Sequence, residues 1–212
     1  MLASDEGLTM YNIVTEKVSF VRADSKLPNG LNDNYLHELF IDRENALWIG
    51  TYFGGVNYVS SVQGNFQHYY KDNSQLDARI VSVFAHADKD NLWIGTDDAG
   101  FFYWDRQKQT FHPYRPQDGK RGPAYHNIHA LLQDGNKLFV GMFMGGLDIL
   151  DWRTGIFKNY KADTSLRSLY SSEIYALYKD SRQRIWIGTT AGLNLYHQQT
   201  DDFERIYELH GV

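Results

Sequence analysis

The apolar positions of this chain fall in short runs, and no stretch keeps an apolar spacing of 3.6 residues, so the pattern predicts strands throughout. β-Branched and aromatic residues crowd each run, as a pleated, half-buried surface requires. One run recurs almost unchanged: LWIGT at Leu47 to Thr51, LWIGT at Leu92 to Thr96, LFVGM at Leu138 to Met142 and IWIGT at Ile185 to Thr189. Its glycines, Gly50, Gly95, Gly141 and Gly188, are 45, 46 and 47 residues apart by subtraction, a period that marks stacked supersecondary units.

Other landmarks keep the same register. A glycine opens a short strand at Gly7 (GLTMY), Gly55 (GVNYV), Gly100 (GFFYW), Gly146 (GLDIL) and Gly192 (GLNLY), and an aromatic follows at Phe20, Phe66, Phe111, Phe157 and Phe203. Ahead of each LWIGT stands a further strand-like run: NYLHELFID, ARIVSVFAH, HNIHALLQD and SEIYALYKD. Each period therefore holds four strands: A (as SEIYALYKD), B (LWIGT), C (GLNLY) and D (around the Phe). Short antiparallel strands with glycine-bearing turns, repeated at this length, predict an all-β fold, a β-propeller built of four-stranded antiparallel blades. Met1 to Ser4 precede Gly7 as Trp186 to Thr189 precede Gly192, so the chain is expected to begin inside strand B of an incomplete blade. Four full blades follow, giving a partial propeller over residues 1–212 with units near 1–33, 34–77, 78–125, 126–171 and 172–212.

Composition narrows the function. With 42% hydrophobic and 15% aromatic residues in 212, the chain can bury a substantial core, most simply as one domain. A formal charge of −5 argues against nucleic-acid binding, which wants a basic face. No apolar run approaches membrane-spanning length, and MLASDEGL does not read as a signal peptide. Cysteine is absent, which excludes disulfides and thiolate metal sites.

The combination of N-x-I-x-A-L-x-x-D, LWIGT, GG-L-x-x-Y and F-x-x-Y resembles the two-component regulator propeller repeat, over essentially the whole chain. The LFVGM unit departs most: Phe139 stands for the Trp, Met142 for the Thr, and LDIL for LNLY. The resemblance implies the extracytoplasmic sensor region of a bacterial hybrid histidine kinase, many of which control polysaccharide use, and hence a periplasmic location as part of an inner-membrane receptor. It also implies a further β-sandwich, a membrane span, a kinase core, a receiver and a DNA-binding output elsewhere in such a protein. No kinase glycine box or helix-turn-helix pattern is seen here, so the segment is expected to be input module and not enzyme.

Scaffold and recognition residues separate by what repeats. Trp48, Trp93 and Trp186 hold one register and are expected to pack between blades, and the LWIGT glycines to permit close strand or blade approach. Asp42, Asp134 and Asp180 end strand A and are expected to bond their own backbone at the turn. Ligand residues should be those that differ between units. They fall in the B-to-C loop (YFG, DDA, MFMG, TA) and the D-to-A loop, which lie on the same face of an up-and-down blade. Tyr52, Phe53, Tyr125 and Phe143 offer flat apolar surfaces there, and Arg79, Asp97, Asp98, His126 and Glu173 offer fixed hydrogen bonds. Sugars present both CH faces and hydroxyls, so this mixture suits an oligosaccharide ligand, as it would other polar ligands.

Catalytic patterns fail. There is no G-x-S-x-G, P-loop, H-E-x-x-H or EF-hand loop. His126 and His129 are three apart, which on a strand points them to opposite faces, and adjacency in the pairs Asp97–Asp98 and Asp201–Asp202 does not guarantee that two acids aim at opposite sides of one glycosidic bond. No cofactor and no metal are expected. Two alternatives stand beside sensing: a protein-interaction or dimerisation scaffold, in which further blades of a parent chain or another copy of this one cover the open blade edges, and a propeller glycosidase or lyase. Neither nucleic acid nor membrane is an expected contact of this segment.

Overall fold

The computed structural model describes residues 1–24, 26–27, 29–60, 66–70, 74–88, 90–116 and 122–207. Among them are nineteen strands and no helix. Strands β1 (Leu2–Ser4), β2 (Gly7–Asn12) and β3 (Lys17–Val21) form a three-stranded sheet. Four four-stranded sheets follow, each joined in sequence order. They are β4 (Leu36–Ile41), β5 (Leu47–Thr51), β6 (Val56–Val59) and β7 (Phe66–Tyr69); then β8 (Val81–His86), β9 (Leu92–Thr96), β10 (Phe101–Asp105) and β11 (Thr110–Tyr114). The last two are β12 (Ile128–Asp134), β13 (Lys137–Met142), β14 (Leu147–Asp151) and β15 (Ile156–Tyr160), and β16 (Ile174–Lys179), β17 (Ile185–Thr189), β18 (Gly192–His197) and β19 (Asp202–Ile206). Two compact units result: residues 1–98 with 102–113, and residues 99–101 with the chain from 114 onward.

The repeated tryptophan sits in the core as its register implied. Trp48 is fully buried and packs on Trp104, with ring centroids 4.6 Å apart, and on Tyr58 at 4.8 Å. Its indole N–H donates to Asp42 Oδ2 at 2.9 Å, and Asp42 Oδ1 accepts the backbone N–H groups of Glu44 and Ala46, also at 2.9 Å. Asp180 repeats the arrangement, holding Trp186 Nε1 and the N–H groups of Arg182 and Arg184 at 2.9 Å. One carboxylate thus shapes the A-to-B corner and orients the core aromatic. Trp186 is only half-buried, with the Arg184 guanidinium 4.8 Å from its ring centre. In the third full blade Phe139 has no N–H to offer, and Asp134 instead pairs with Lys179 at 2.7 Å.

Two glycines show why the repeat keeps them. A Cβ on Gly141 would lie 2.5 Å from Ile174 Cγ2 on strand A of the following blade, so the close approach of two blades depends on its absence. Gly146 has φ +79°, in the left-handed region, and a Cβ there would lie 2.1 Å from Tyr160 O.

One landmark is corrected. Phe157 lies opposite Leu150 and Phe203 opposite Tyr196, whereas the equivalent place in the first sheet, opposite Tyr11, belongs to Val18. Phe20 lies opposite Thr9 and is 69% exposed. The two-residue offset preserves the inward–outward alternation of the strand, so the pattern alone did not reveal it. The side chain of Phe66 lies outside the described residues.

Candidate functional site

The two variable loops of each full blade are tied together by one recurring bond. The first residue of the B-to-C loop donates its backbone N–H to the carbonyl of the residue just ahead of strand A: Tyr52 to Tyr35 at 3.0 Å, and Asp97 to Ile80, Phe143 to Asn127 and Thr190 to Glu173 at 3.1 Å. The expectation that these loops share a face therefore holds in every full blade. The Thr ending strand B tightens the loop further. Thr51 Oγ1 donates to Gly55 O at 3.0 Å and accepts from Gly54 N at 3.0 Å, and Thr189 Oγ1 donates to Gly192 O at 2.8 Å. Met142, lacking a hydroxyl, cannot make this bond.

Strand A carries a feature that the sequence reading missed. Its pairing with strand B slips between Leu36 and Glu38, Val81 and Val83, Ile128 and Ala130, and Ile174 and Ala176. The residue passed over is His37, Ser82, His129 or Tyr175, so every full blade has a β-bulge at the same place. Bulges re-aim a side chain and recur beside functional sites. Here they bring a variable residue to the B-to-C loop: the His37 ring is 5.0 Å from Tyr52, and the His129 ring is 5.6 Å from Phe143 and 4.7 Å from Tyr175. Phe143 and Tyr175 meet edge-to-face at 6.3 Å, and Tyr175 is 50% exposed. The available signal is variation itself, since H, S, H and Y follow an invariably apolar residue within a strand and not in a loop.

In the first unit, Phe53 is 72% exposed, 6.2 Å from the Tyr52 ring and 5.9 Å from that of Tyr35. Its N–H donates to Asp33 Oδ2 at 3.0 Å. A cleft of about 340 Å³ runs past Asn32, Phe53, Tyr70, Ala78 and Arg79. Asp98 accepts from Arg79 through both the backbone N–H, at 3.2 Å, and Nε, at 3.1 Å. Asp98 therefore positions Arg79 beside the cleft. Asp97, the remaining expected residue here, enters the loop tie through its N–H.

In the second unit, the rings of Tyr125 and His126 lie 4.3 Å apart. Tyr125 Cβ would be 2.7 Å from a Cβ on Gly145, which places it against the loop that carries Phe143. Glu173 contributes its carbonyl to the tie with Thr190. His126 and His129 have different ring partners, Tyr125 for one and Phe143 with Tyr175 for the other.

A buried polar side chain on strand C anchors the D-to-A loop from below. Asn57 Oδ1 accepts from Asn32 N at 3.1 Å and Asn194 Oδ1 from Tyr170 N at 2.8 Å. In the divergent blade Asp148 takes this role, accepting from Ala124 N at 2.7 Å and from Asn159 Nδ2 at 2.8 Å. Asn159 Nδ2 also donates to Gly145 O at 2.9 Å, so both loops around Phe143 hang on this cluster. Asp148 is 1% exposed, and burial pushes its carboxyl up to about 6 against the pull of the Ala124 and Asn159 hydrogen bonds and Lys161. An unfolded aspartate titrates near 4, so the stability this group contributes is complete below about pH 4 and is lost as pH rises through about 6. Asp148→Asn is expected to remove that dependence. In urea unfolding it should gain about 1–2 kcal/mol at pH 7.5 and little at pH 4.5, below the roughly 3 kcal/mol ceiling of a two-unit shift because Asn159 must turn its amide to match.

Antiparallel four-stranded sheets repeated in sequence order, each with its bulged strand A tied to the B-to-C loop, are the blades of a β-propeller. Residues 171–191, from the last D-to-A loop through β16 and β17, match the family described as two component regulator propeller. The chain is 25% identical over 182 residues to histidine kinase P4 of Formosa agariphila, covering 83% of this chain and 13% of that protein. Two extracellular domains from B. thetaiotaomicron share the fold. The one assigned to hybrid two component system BT3049 superposes with a TM-score of 0.82 at 23% identity, over 97% of this chain and 28% of that one. The one assigned to BT4673 gives 0.72 at 21% identity, over 97% and 25%. The chain thus spans a small part of the length of each of these three proteins.

Proposed function

We propose that this chain is an extracytoplasmic, ligand-sensing segment of a two-component signalling receptor, held on the periplasmic side of the inner membrane, and that it recognises a carbohydrate on its loop face. The likeness to extracellular domains of hybrid two-component systems and to a histidine kinase supports the receptor context. The observation that carries ligand sensing is the bulge repeated in four blades, which keeps the scaffold constant while placing His37, His129 and Tyr175 beside the loops in three of them; Ser82, in the remaining one, is buried. Exposed rings such as Phe53 and Tyr175 supply platforms for the CH faces of a sugar, and Arg79, held by Asp98, supplies donors for its oxygens. Signalling then requires a ligand to bind one receptor arrangement more tightly than another.

Calorimetric titration with a panel of neutral and acidic oligosaccharides tests this. Saturable binding is expected, with Phe143→Ala and His129→Ala each weakening it about tenfold, or roughly 1.4 kcal/mol. Flat heats across the panel would remove the carbohydrate reading. A second reading, a docking or dimerisation scaffold, is favoured by the exposed apolar side chains of β2 and β3, Tyr11, Val18 and Phe20. Flat heats together with concentration-dependent self-association would support that reading instead.

A further inference from the structure

The third and fourth strands of neighbouring blades meet in a similar cleft in both units, and the two clefts differ in the residue at the turn between those strands and in the side chains it meets. In the second unit Asp201 stands two positions before Phe203 with φ 56°. Its carboxylate accepts the hydroxyl of Tyr196 at 2.6 Å and that of Tyr160, and pairs with Lys158. Burial alone would raise this carboxyl, but Lys158 and the two phenols hold it down at about 2. The cluster is closed by its own anion.

In the first unit Gln109 occupies the same turn position, two before Phe111, with φ 55°. Tyr69 corresponds to Tyr160, and Trp104 to Tyr196, each four residues beyond the glycine that opens strand C in the case of the latter pair. The Gln109 carbonyl accepts from Tyr69 at 3.0 Å, and its amide donates to Arg106 O at 2.8 Å. The indole N–H of Trp104 is buried and has no acceptor among the described residues. A buried donor left unsatisfied is destabilising, and an incoming acceptor would satisfy it.

We propose that this first-unit cleft binds a small carboxylic acid, whose carboxylate takes the place that Asp201 fills in the second unit and accepts from Trp104 Nε1 and the Arg106 guanidinium. Three observations converge. The cleft, about 270 Å³, is lined by Tyr58, Gln67, Tyr69, Trp104, Arg106 and Gln109, a set rich in donors with Arg106 its single charged member besides any ligand. Arg106 engages Glu44 but carries five N–H donors, more than one carboxylate uses. Burial raises the Tyr58 and Tyr69 phenols, so both remain protonated donors at neutral pH. The volume falls below the usual 300–1,000 Å³ of ligand pockets, which limits the ligand to about the size of one sugar acid. Gln109, exposed on its turn, is the side chain that must swing aside for the acid to reach the indole. This site stands independently of the loop face.

The test is ¹⁵N NMR of the tryptophan indole groups during titration with sodium acetate or sodium D-glucuronate, at ionic strength held constant with sodium chloride. The Trp104 indole resonance, identified from the spectrum of Trp104→Phe, is expected to move downfield saturably with at least one acid, with half-saturation in the low millimolar range. Gln109→Asp supplies the carboxylate internally, so its Trp104 resonance should start downfield and cease to respond, and Arg106→Gln should weaken binding at least tenfold. Should Trp104→Phe fail to fold, the resonance displaced by Gln109→Asp identifies the indole. Absence of a saturable shift with both acids, or a response undiminished in Gln109→Asp, overturns the proposal.

Discussion

Replacing Trp48 with alanine is expected to cost about 4 kcal/mol of stability, the middle of the range for removing a buried aromatic. Trp48 is fully enclosed, touches Trp104 and Tyr58, and holds Asp42 through its indole N–H. Truncation leaves both a cavity and a carboxylate oxygen without its donor, and each adds to the loss. Trp186 makes the same bond to Asp180 but is half-buried beside the Arg184 guanidinium, so Trp186→Ala should cost about 1–2 kcal/mol. Urea unfolding of the two variants measures the difference. Equal losses would mean that packing between neighbouring sheets is not what the repeated tryptophan contributes.

Gly146→Ala is expected to destabilise by about 3 kcal/mol, the upper end for backbone strain or overpacking, or to prevent its blade from forming. The residue has φ +79°, and the new Cβ would stand 2.1 Å from Tyr160 O, a backbone atom that cannot retreat without breaking the pairing of β14 with β15. Gly155→Ala provides the control. Its φ is +73°, yet nothing lies within 4 Å of an added Cβ, so only the left-handed strain of about 1 kcal/mol applies. Thermal or urea unfolding of both variants separates backbone strain from steric approach, and similar losses would show that the contact with Tyr160 yields easily.

The candidate site was partly legible before the structure. Tyr52, Phe53, Arg79, Asp97 and Asp98 fall together in the first unit and Tyr125, His126, Phe143 and Glu173 in the second, because the rule that varying loops carry recognition selected loops that are hydrogen-bonded to each other. The bulge residues were not legible. Whether His129 continues the alternation of β12 or interrupts it depends on which residues of β13 it faces, and pairing register is a property of two strands. The salt bridge of Arg79 with Asp98 was hidden for a similar reason, since nineteen residues separate them and only the loop tie brings them together.

What the sequence settled alone was the blade as a repeating unit of four strands. A period of 45 to 47 residues, strands with β-branched and aromatic residues, a Trp or Phe at one register and glycines at others were sufficient for a blade, because each blade uses local pairing between consecutive strands. Tertiary structure decided whatever rests on contacts across strands: the place of Val18 instead of Phe20, the bulges, the burial that lifts Asp148, and the indole of Trp104 without the carboxylate that Asp201 supplies elsewhere. Burial and hydrogen-bond satisfaction depend on neighbours distant in the chain, and alternation along a single strand does not specify them.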